Sequence, residues 1–262
     1  MSSVVHLPER TTLVVGASRG LGRGIATAIA AINVPVIAVA RTASGLAELS
    51  EAHAIQGEVA DASDPSVAGS LLDRHDPTAL VLVAGASPLM RTLQHQSWET
   101  FSVNWQTDVR ITFHWVREAL LKPLRPGSRV IVVSSGAALN GSPLSGGYAG
   151  AKATQRFISA YAQDEADRAG LDITFTAVLP RITPLTGLGR PAVKAYAARY
   201  GKTEEEYLEP FGEPLSPEIA GAALAELVRA DATTIAPQYL LSSAGLQPLE
   251  QHAESPKERS RA

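Results

Sequence analysis

The sequence predicts an α/β fold built on a doubly wound parallel sheet of about seven strands, with helices on both faces. Short apolar runs alternate with longer helical patterns along most of the chain, which is typical of strands joined by right-handed crossovers. The runs are mostly continuous in apolar residues rather than alternating, as expected of strands buried on both faces of a parallel sheet. A glycine-rich turn also joins the first run to the first helical pattern, and together these observations make the predicted fold Rossmann-type.

The individual elements follow from this alternation. The predicted strands are the apolar runs at residues 11–15, 34–40, 55–59, 79–83, 129–134, 172–179 and 237–241. The predicted helices cover residues 20–32, 44–52, 65–75, 97–121, 148–168 and 217–229. The third helix has the clearest start, because Asp64 is a favourable N-cap and Pro65 occupies the first helical position.

The composition predicts that residues 1–262 form a single domain. Hydrophobic residues make up 45% and charged residues 19% of the chain, so a large core can form. Residues 185–216 interrupt the alternation, and we interpret them as an insertion that shapes a substrate pocket. Residues 245–262 are polar and charged and are predicted to form a flexible tail.

Charge and composition disfavour several classes of protein. The net charge of −3 and the isoelectric point near 6.1 provide no basic surface for nucleic acid. The absence of cysteine excludes disulfides and thiol nucleophiles, and the six histidines lack ligand spacing, so no metal is predicted. The N-terminus does not read as a signal peptide, and Asn33 and Pro35 interrupt the uncharged run at residues 24–40, so a cytoplasmic protein without a membrane span is predicted.

The glycine-rich turn predicts a binding site for the pyrophosphate of a dinucleotide. Three glycines are spaced G-x-x-x-G-x-G between the first strand and the first helix. Such a turn lets the backbone approach phosphates closely, and the N-terminus of the helix supplies unpaired N–H groups. The predicted cofactor-binding residues of the turn are Gly16, Ser18, Arg19, Gly20, Leu21 and Gly22. A tight strand-to-helix turn without a ligand is the alternative interpretation.

The same turn also matches the nucleophile elbow of α/β-hydrolases. Gly16, Ser18 and Gly20 spell G-x-S-x-G, which would make Ser18 the nucleophile. That fold needs an upstream strand and loop to build its oxyanion hole, and residues 1–10 cannot supply them. A serine hydrolase is therefore an alternative that the position of the motif disfavours.

The second strand indicates which nicotinamide cofactor the turn would bind. Proteins of this architecture that bind NAD place an acidic residue there for the ribose 2′-hydroxyl. This chain has no Asp or Glu between Glu9 and Glu48, whereas Arg41 ends the strand and Arg19 lies in the glycine turn. Two guanidinium groups suit a 2′-phosphate, so NADP(H) is predicted over NAD(H), unless both arginines are ordinary surface residues.

A tyrosine and a lysine at helical spacing predict acid–base chemistry. Tyr148 and Lys152 are four residues apart on a predicted helix and lie on one face. A free tyrosine has a pKa of about 10, and a neighbouring ammonium group favours the phenolate. Upstream, Ser134 and Ser135 stand at the carboxyl edge of a buried strand, where ligands bind in open α/β sheets.

The order of these motifs resembles that of the short-chain dehydrogenase/reductase family, from about residue 10 to residue 243. The resemblance rests on the glycine turn, Asp61, the pair Ala84-Gly85, Asn104, Ser135, Tyr148 and Lys152. Members of the family usually place the serine thirteen positions before the tyrosine, which selects Ser135 over Ser134. The resemblance implies a Rossmann-type oxidoreductase.

The resemblance implies a role for each of four catalytic residues. Tyr148 would be the general acid in carbonyl reduction and the base in alcohol oxidation. Lys152 would hold the nicotinamide ribose and favour the phenolate of the tyrosine. Ser135 would hydrogen-bond the substrate oxygen, and Asn104 would help to hold a water that relays protons towards Lys152.

The resemblance also implies cofactor contacts beyond the glycine turn. Asp61 would face the adenine, and Ala84 and Gly85 would pack against the cofactor. Pro180 and Thr183 would lie beside the nicotinamide, where a threonine usually holds the carboxamide.

Some positions depart from the family pattern. The two asparagines that usually precede the Ala-Gly pair are Leu82 and Val83 in this chain. The glycine that usually follows the proline of the sixth strand is Arg181, which would point outward or add a cation to the pocket. Thr186 is a second candidate for the carboxamide, although Thr183 is favoured.

The predicted function is NADP(H)-dependent interconversion of a carbonyl and a secondary alcohol on a small-molecule substrate. A non-catalytic NADP-binding sensor on the same fold is the main alternative. Trp98, Trp105 and Trp115 all fall in the helix that carries Asn104, where they would pack in the core or contact a partner. The family commonly pairs that helix with a partner's, so the resemblance implies a homo-oligomer, either a dimer or a tetramer.

Overall fold

The computed structural model describes residues 10–249, which contain an eight-stranded sheet with helices on both faces. The strands are β1 (Thr12–Val15), β2 (Val36–Ala40), β3 (Ile55–Val59), β4 (Ala79–Leu82), β5 (Ser128–Val133), β6 (Ile173–Pro180), β7 (Gln238–Ser242) and β8 (Gly245–Pro248). Their order is β3-β2-β1-β4-β5-β6-β7-β8, and neighbours from β3 to β7 are parallel. The predicted doubly wound sheet is confirmed, and the strand order reverses between β1 and β4.

The six predicted helices are present, one of them divided, and three further helices, Ala137–Asn140, Gly189–Arg199 and Glu204–Leu208, were not predicted. The α-helices of the described residues are α1 (Gly20–Ala31), α2 (Ala43–Ala52), α3 (Pro65–His75), α4 (Trp98–Asn104), α5 (Arg110–Leu121), α6 (Ala137–Asn140), α7 (Gly146–Arg168), α8 (Gly189–Arg199), α9 (Glu204–Leu208) and α10 (Pro217–Arg229). The Asp64 side chain caps α3 as predicted, because it accepts a hydrogen bond from Ser66 N. The predicted helix at residues 97–121 is divided, since a π-helical turn, Trp105–Val109, separates α4 from α5.

The prediction of a flexible tail is wrong for residues 245–248. These residues form β8, which pairs antiparallel with β7 through a tight turn. Gly245 has a φ of +95°, a left-handed conformation that glycine adopts at little cost. The exposed edge of β7 supplies the hydrogen-bond partners, and the short polar sequence of β8 gives no local sign of them. Residues 250–262 of the predicted tail lie outside the described residues.

The segment at residues 185–216, predicted as an insertion, folds mainly as α8 and α9. Thr203 and Glu206 form a capping box that starts α9. Three tyrosine rings then bring the two helices together: the Tyr196 and Tyr207 centroids are 5.8 Å apart, and the Tyr200 and Tyr207 centroids are 6.2 Å apart. The segment therefore has its own aromatic packing beside the carboxyl end of the sheet.

Two apolar layers cover the two faces of the sheet. Alternate residues of β1 point to opposite faces, so Val14 packs with the layer that includes α1 and α10, and Leu13 with the layer that includes α3 and α5. Trp115 of α5 is fully buried and donates from Nε1 to Ala62 O at 3.0 Å. Trp98 and Trp105 are instead 70% and 40% exposed, so core packing accounts for only one of the three tryptophans.

Candidate active site

A cleft of about 980 Å³ opens at the carboxyl ends of β1, β4, β5 and β6. It lies where the strand order reverses, which is the usual position of a ligand in an open α/β sheet. The glycine turn lines one end, and residues of α6, α7 and α8 line the other. Every site residue that the sequence predicts lines this cleft except Asn104.

The glycine turn has a shape that only glycine permits at two positions. Gly16 has a φ of +96°, and a Cβ there would lie 2.6 Å from Ala84 Cα. A Cβ on Gly22 would lie 2.0 Å from Gly16 O, so this glycine lets α1 begin directly against the turn. Helix α1 has no side-chain cap and no acidic residue in its first turn. Its N-terminal N–H groups therefore face the cleft without a competing anion, which fits the phosphates of a dinucleotide.

The adenine end of the predicted site carries two arginines and one acid. Arg19 and Arg41 line the cleft, are exposed, and have no ion-pair partner among residues 10–249. Asp61 follows β3 and accepts hydrogen bonds from Ser63 N at 3.0 Å and from Ser63 Oγ at 2.7 Å. These two hydrogen bonds, with a smaller contribution from Arg41, lower the pKa of Asp61.

The two serines at the end of β5 have different partners. Ser134 Oγ donates to Lys152 O at 2.7 Å and is buried, so its hydroxyl ties β5 to α7. Ser135 is partly exposed in the cleft, and its Oγ accepts a hydrogen bond from Ala137 N at 3.2 Å. The hydroxyl proton of Ser135 is therefore free to point towards a ligand.

Helix α7 places Tyr148 and Lys152 one turn apart on the same wall. Lys152 Nζ lies 5.5 Å from the centroid of the Tyr148 ring. Gly147 allows this helix to approach α4, because a Cβ there would lie 1.9 Å from Phe101 O. Tyr148 is half-buried, whereas Lys152 is only 5% exposed. The ammonium group thus sits beneath the phenol ring at the floor of the cleft.

The floor contains a buried acid that the sequence reasoning missed. Lys152 Nζ lies 3.2 Å from Asp108 Oδ2 and donates to Gln155 Oε1 at 2.8 Å. Asp108 Oδ2 accepts no hydrogen bond from a described residue, so its contact with Lys152 is an ion pair alone. Asp108 and Asn104 are one turn apart on the divided helix, which was the only sequence signal that could have pointed to it.

Asn104 lies behind the cleft and not in its wall. It is 1% exposed, and its Nδ2 donates to Ala86 O at 2.7 Å and to Asp108 Oδ1 at 3.3 Å. The π-helical turn that follows Asn104 carries Asp108, and such turns often occur at functional sites. In the described structure, α4 reaches Lys152 through the carboxylate of Asp108.

The remaining residues predicted to contact the cofactor lie at the carboxyl end of β6 and just after it. Pro180 ends the strand, and the exposed Arg181 is anchored by its N–H, which donates to Leu241 O at 2.8 Å. Thr183 and Thr186 are both buried, and their Oγ1 atoms are 3.1 Å apart. Both threonines line the cleft, so the geometry does not separate the two candidates for the carboxamide.

The aromatic cluster of α8 and α9 forms the outer wall of the same cleft. Tyr196, Tyr200 and Tyr207 line it, and the Tyr196 hydroxyl hydrogen-bonds to Ser142 Oγ. Burial raises the pKa of Tyr207, and the neighbouring Tyr196 and Tyr200 raise it further. The ring of Tyr207 therefore stays neutral well above neutral pH.

Neither a cluster of metal ligands nor a membrane-spanning helix is present among residues 10–249. Within that range no three His, Asp or Glu side chains are placed to hold a metal ion. None of the helices described is both long and apolar enough to cross a membrane.

Comparisons with known proteins agree with the fold and show the family. The family model for short chain dehydrogenase matches residues 10–197. Two 3-oxoacyl-(acyl-carrier-protein) reductases are each 30% identical: that of Pseudomonas aeruginosa over 192 residues (67% of this chain, 74% of the relative) and that of Synechocystis over 218 residues (76% and 86%). The chain spans only 44% of an uncharacterized short-chain type dehydrogenase/reductase of Sinorhizobium fredii, at 28% identity.

Solved structures show the same fold. A short chain dehydrogenase from Mycobacterium avium superimposes with a TM-score of 0.75 at 22% identity, covering 95% of this chain and 87% of the other. An alcohol dehydrogenase from Thermococcus sibiricus, complexed with 5-hydroxy-NADP, gives 0.73 at 21% identity, covering 92% and 99%. The chain belongs to the short-chain dehydrogenase/reductase family of oxidoreductases.

Proposed function

We propose that this protein is an NADP(H)-dependent oxidoreductase that interconverts a carbonyl and a secondary alcohol on a small molecule. One observation carries the proposal: Ser135, Tyr148 and Lys152 line the same cleft as the glycine turn. A dinucleotide bound by its pyrophosphate at that turn would run along the floor of the cleft towards Lys152. The catalytic hydroxyls would then face its reactive end.

The residues of the chain divide the chemistry among themselves. NADP(H), when bound, supplies or accepts the hydride. Tyr148 donates its hydroxyl proton to the carbonyl oxygen during reduction and takes it back during oxidation. Ser135 donates a hydrogen bond to the same oxygen and so fixes the substrate. Lys152 holds the ribose and keeps a positive charge 5.5 Å from the Tyr148 ring, which stabilises the phenolate as it forms.

Two exposed guanidinium groups support NADP(H) over NAD(H). Arg19 and Arg41 flank the cleft without an ion-pair partner among the described residues, so both are available to a phosphate. Two solved structures of the same fold, from Thermococcus sibiricus and Beutenbergia cavernae, are described with bound 5-hydroxy-NADP and NADP.

The Arg41→Asp variant is expected to lose its preference for NADPH. A charge-assisted contact is worth about 1.5–3 kcal/mol, so the ratio of kcat/KM for NADPH to kcat/KM for NADH should fall at least ~10-fold. Arg41→Lys keeps the charge but not the bidentate geometry, and it should fall between the variant and the wild type. Steady-state kinetics with both cofactors measures the ratio. A wild-type preference for NADH, or an unchanged ratio in Arg41→Asp, would contradict the assignment.

Two alternatives remain as test outcomes. A non-catalytic sensor would bind NADPH but oxidise it with no member of a carbonyl panel. A serine hydrolase would require an activated Ser18, yet Ser18 has no hydrogen bond to a histidine within residues 10–249. Labelling of Ser18 by a fluorophosphonate probe would favour the hydrolase.

The proposal includes a cytoplasmic homo-oligomer, either a dimer or a tetramer. Large side chains are exposed along α4, the π-helical turn and α7. Trp98, Trp105, Phe157 and Tyr161 are 70%, 40%, 67% and 58% exposed. Large apolar side chains exposed in this number often mark an interaction site, which supports contact through these helices.

A further inference from the structure

The buried carboxylate of Asp108 connects the cofactor-binding end of β4 to Lys152. Asp108 is fully buried, and its two oxygens have different partners. Oδ1 accepts hydrogen bonds from Ala86 N at 2.8 Å and from Asn104 Nδ2 at 3.3 Å. Oδ2 lies 3.2 Å from Lys152 Nζ and 2.7 Å from the position that a Cβ on Gly85 would take.

This carboxylate is the counter-charge of Lys152. The other partners of Lys152 are neutral oxygens, Gln155 Oε1 at 2.8 Å and Val133 O at 3.4 Å. Asp108 is the one anion that pairs with Lys152 among residues 10–249. A buried ammonium group is costly without a counter-charge, so the carboxylate sets where Nζ can reside.

The same carboxylate braces the backbone that follows β4. The family's two asparagines are replaced here by Leu82 and Val83, which offer no amide side chains. Hydrogen bonds from Ala86 N to Asp108 and from Asn104 to Ala86 O hold this backbone instead. The segment at residues 84–86 is thus fixed from the π-helical turn.

We propose that Asp108 is a positioning residue, which acts on catalysis by holding the Lys152 ammonium group beside Tyr148. The proposal rests on the proposed function, because Lys152 matters to catalysis only if the site binds a nicotinamide cofactor. Asp108 is fully buried beside Lys152. Its influence on proton transfer passes through Lys152, because the hydrogen bond from Ala86 N that braces the neighbouring backbone is kept when asparagine replaces it.

A double-mutant cycle of Asp108→Asn and Lys152→Met tests the proposal. Asp108→Asn keeps the shape and an acceptor for Ala86 N but removes the charge. It should lower kcat about 10-fold or more and leave the Kd for NADPH, measured by fluorescence titration, within about 3-fold. In the Lys152→Met background the same change should alter kcat by less than about 2-fold, because its target is gone. An equal loss in both backgrounds would overturn the proposal.

The same double-mutant cycle can be measured by urea unfolding, which does not depend on enzymatic activity. Without cofactor, Asp108→Asn should lower the midpoint of urea unfolding, because it leaves the Lys152 charge unpaired and buried. Adding Lys152→Met should raise the midpoint part of the way back towards that of the wild type. If Asp108→Asn alone does not fold, the double variant should yield folded protein. Failure to recover either would overturn the pairing. If the two substitutions are coupled in the unfolding midpoint but no carbonyl is reduced, only the proposed function fails.

A second inference concerns the substrate and rests on a different observation, the aromatic and apolar side chains that line the outer cleft. Tyr196 and Tyr207 lie nearly parallel, at 14°, and Tyr200 and Tyr207 at 9°. Leu139, Leu188 and Phe211 add apolar surface to the same cleft, although each is 36–40% exposed. Of the described residues that line the cleft, the acidic ones are Asp61, which follows β3, and Asp108, which pairs with Lys152 on the floor.

We infer that the substrate is a bulky aromatic ketone or the matching alcohol. Exposed apolar side chains around a cleft favour an apolar ligand that covers them, and parallel rings favour a flat one. Tyr207, kept neutral by burial, adds no charge to this wall. The inference rests on the proposed function, since it names the substrate of the same site.

Matched ketones test this inference. With NADPH, acetophenone should give a kcat/KM about 5-fold or more above that of cyclohexyl methyl ketone, since aromatic contacts add about 1 kcal/mol. Tyr207→Leu should remove the preference without changing the Kd for NADPH. Equal rates for the two ketones, or a higher kcat/KM for a 3-oxoacyl thioester, would overturn it. Binding of NADPH without turnover of any carbonyl would instead show that the proposed function fails.

Discussion

Replacing Tyr148 with phenylalanine is expected to lower kcat for carbonyl reduction by about 10²–10⁴-fold, the usual contribution of a general acid. The change removes one oxygen and leaves the ring that packs over Lys152, so binding of NADPH should stay close to that of the wild type. Ser135 cannot substitute, because a serine hydroxyl is a far weaker acid than a phenol at neutral pH. Stopped-flow or steady-state oxidation of NADPH, together with a binding titration, measures both quantities.

The same helix offers a matched control. Tyr161 lies on α7 and is 58% exposed, away from the cleft. Tyr161→Phe should therefore leave kcat unchanged within experimental error. Full turnover in Tyr148→Phe, or an equal loss in Tyr161→Phe, would contradict the assignment of Tyr148 as the proton donor.

Replacing Gly22 with alanine is expected to weaken NADPH binding about 100-fold or more and to destabilise the fold. The new Cβ would lie 2.0 Å from Gly16 O, and that oxygen belongs to backbone, which cannot turn aside. Either the glycine turn or the start of α1 must shift, and both form the predicted phosphate site. Isothermal titration with NADPH and urea unfolding measure the two effects.

Gly69→Ala on α3 provides the matched control for this glycine. Its Cβ would lie 3.4 Å from the end of the flexible Glu118 side chain, which can move. Alanine also favours helix over glycine by about 1 kcal/mol, so this variant should be as stable as the wild type or more stable. Binding of NADPH by Gly22→Ala at the affinity of Gly69→Ala would contradict the placement of the cofactor at the turn.

Parallel strands were readable from the sequence because burial on both faces makes each strand a continuous apolar run. Most of the strands from β1 to β7 were found on that basis, whereas β3 is a mixed and largely exposed run, Ile55–Val59. Strand β8 was missed, because its pairing depends on the edge of β7 and its own sequence carries a single large apolar residue, Leu246. The helices α8 and α9 were also missed, since their tyrosines pack on one another and not on the sheet.

Some residues of the candidate site can also be predicted from local sequence, whereas others become apparent only in the fold. The glycine turn and the pair Tyr148 and Lys152 are each formed by residues close together in the sequence, so the sequence alone predicts them. The role of Asp108 cannot be predicted from short spacing, because its partner Lys152 lies on another element far along the chain. The two residues meet only when the fold brings α7 against the π-helical turn. For the same reason, the sequence could not show that Asn104 bonds to Ala86 and Asp108 and does not line the cleft.

Transfer of deuterium from C4-labelled NADPH tests the central claim most directly. The purified protein, a reducible ketone and NADPH deuterated at the transferred position are mixed, and the alcohol product is analysed by mass spectrometry. We expect one deuterium on the carbinol carbon for each NADPH oxidised, at a rate that falls sharply in Tyr148→Phe. A protein that neither binds nor oxidises NADPH or NADH, or a product whose carbinol hydrogen comes from water, would contradict the account.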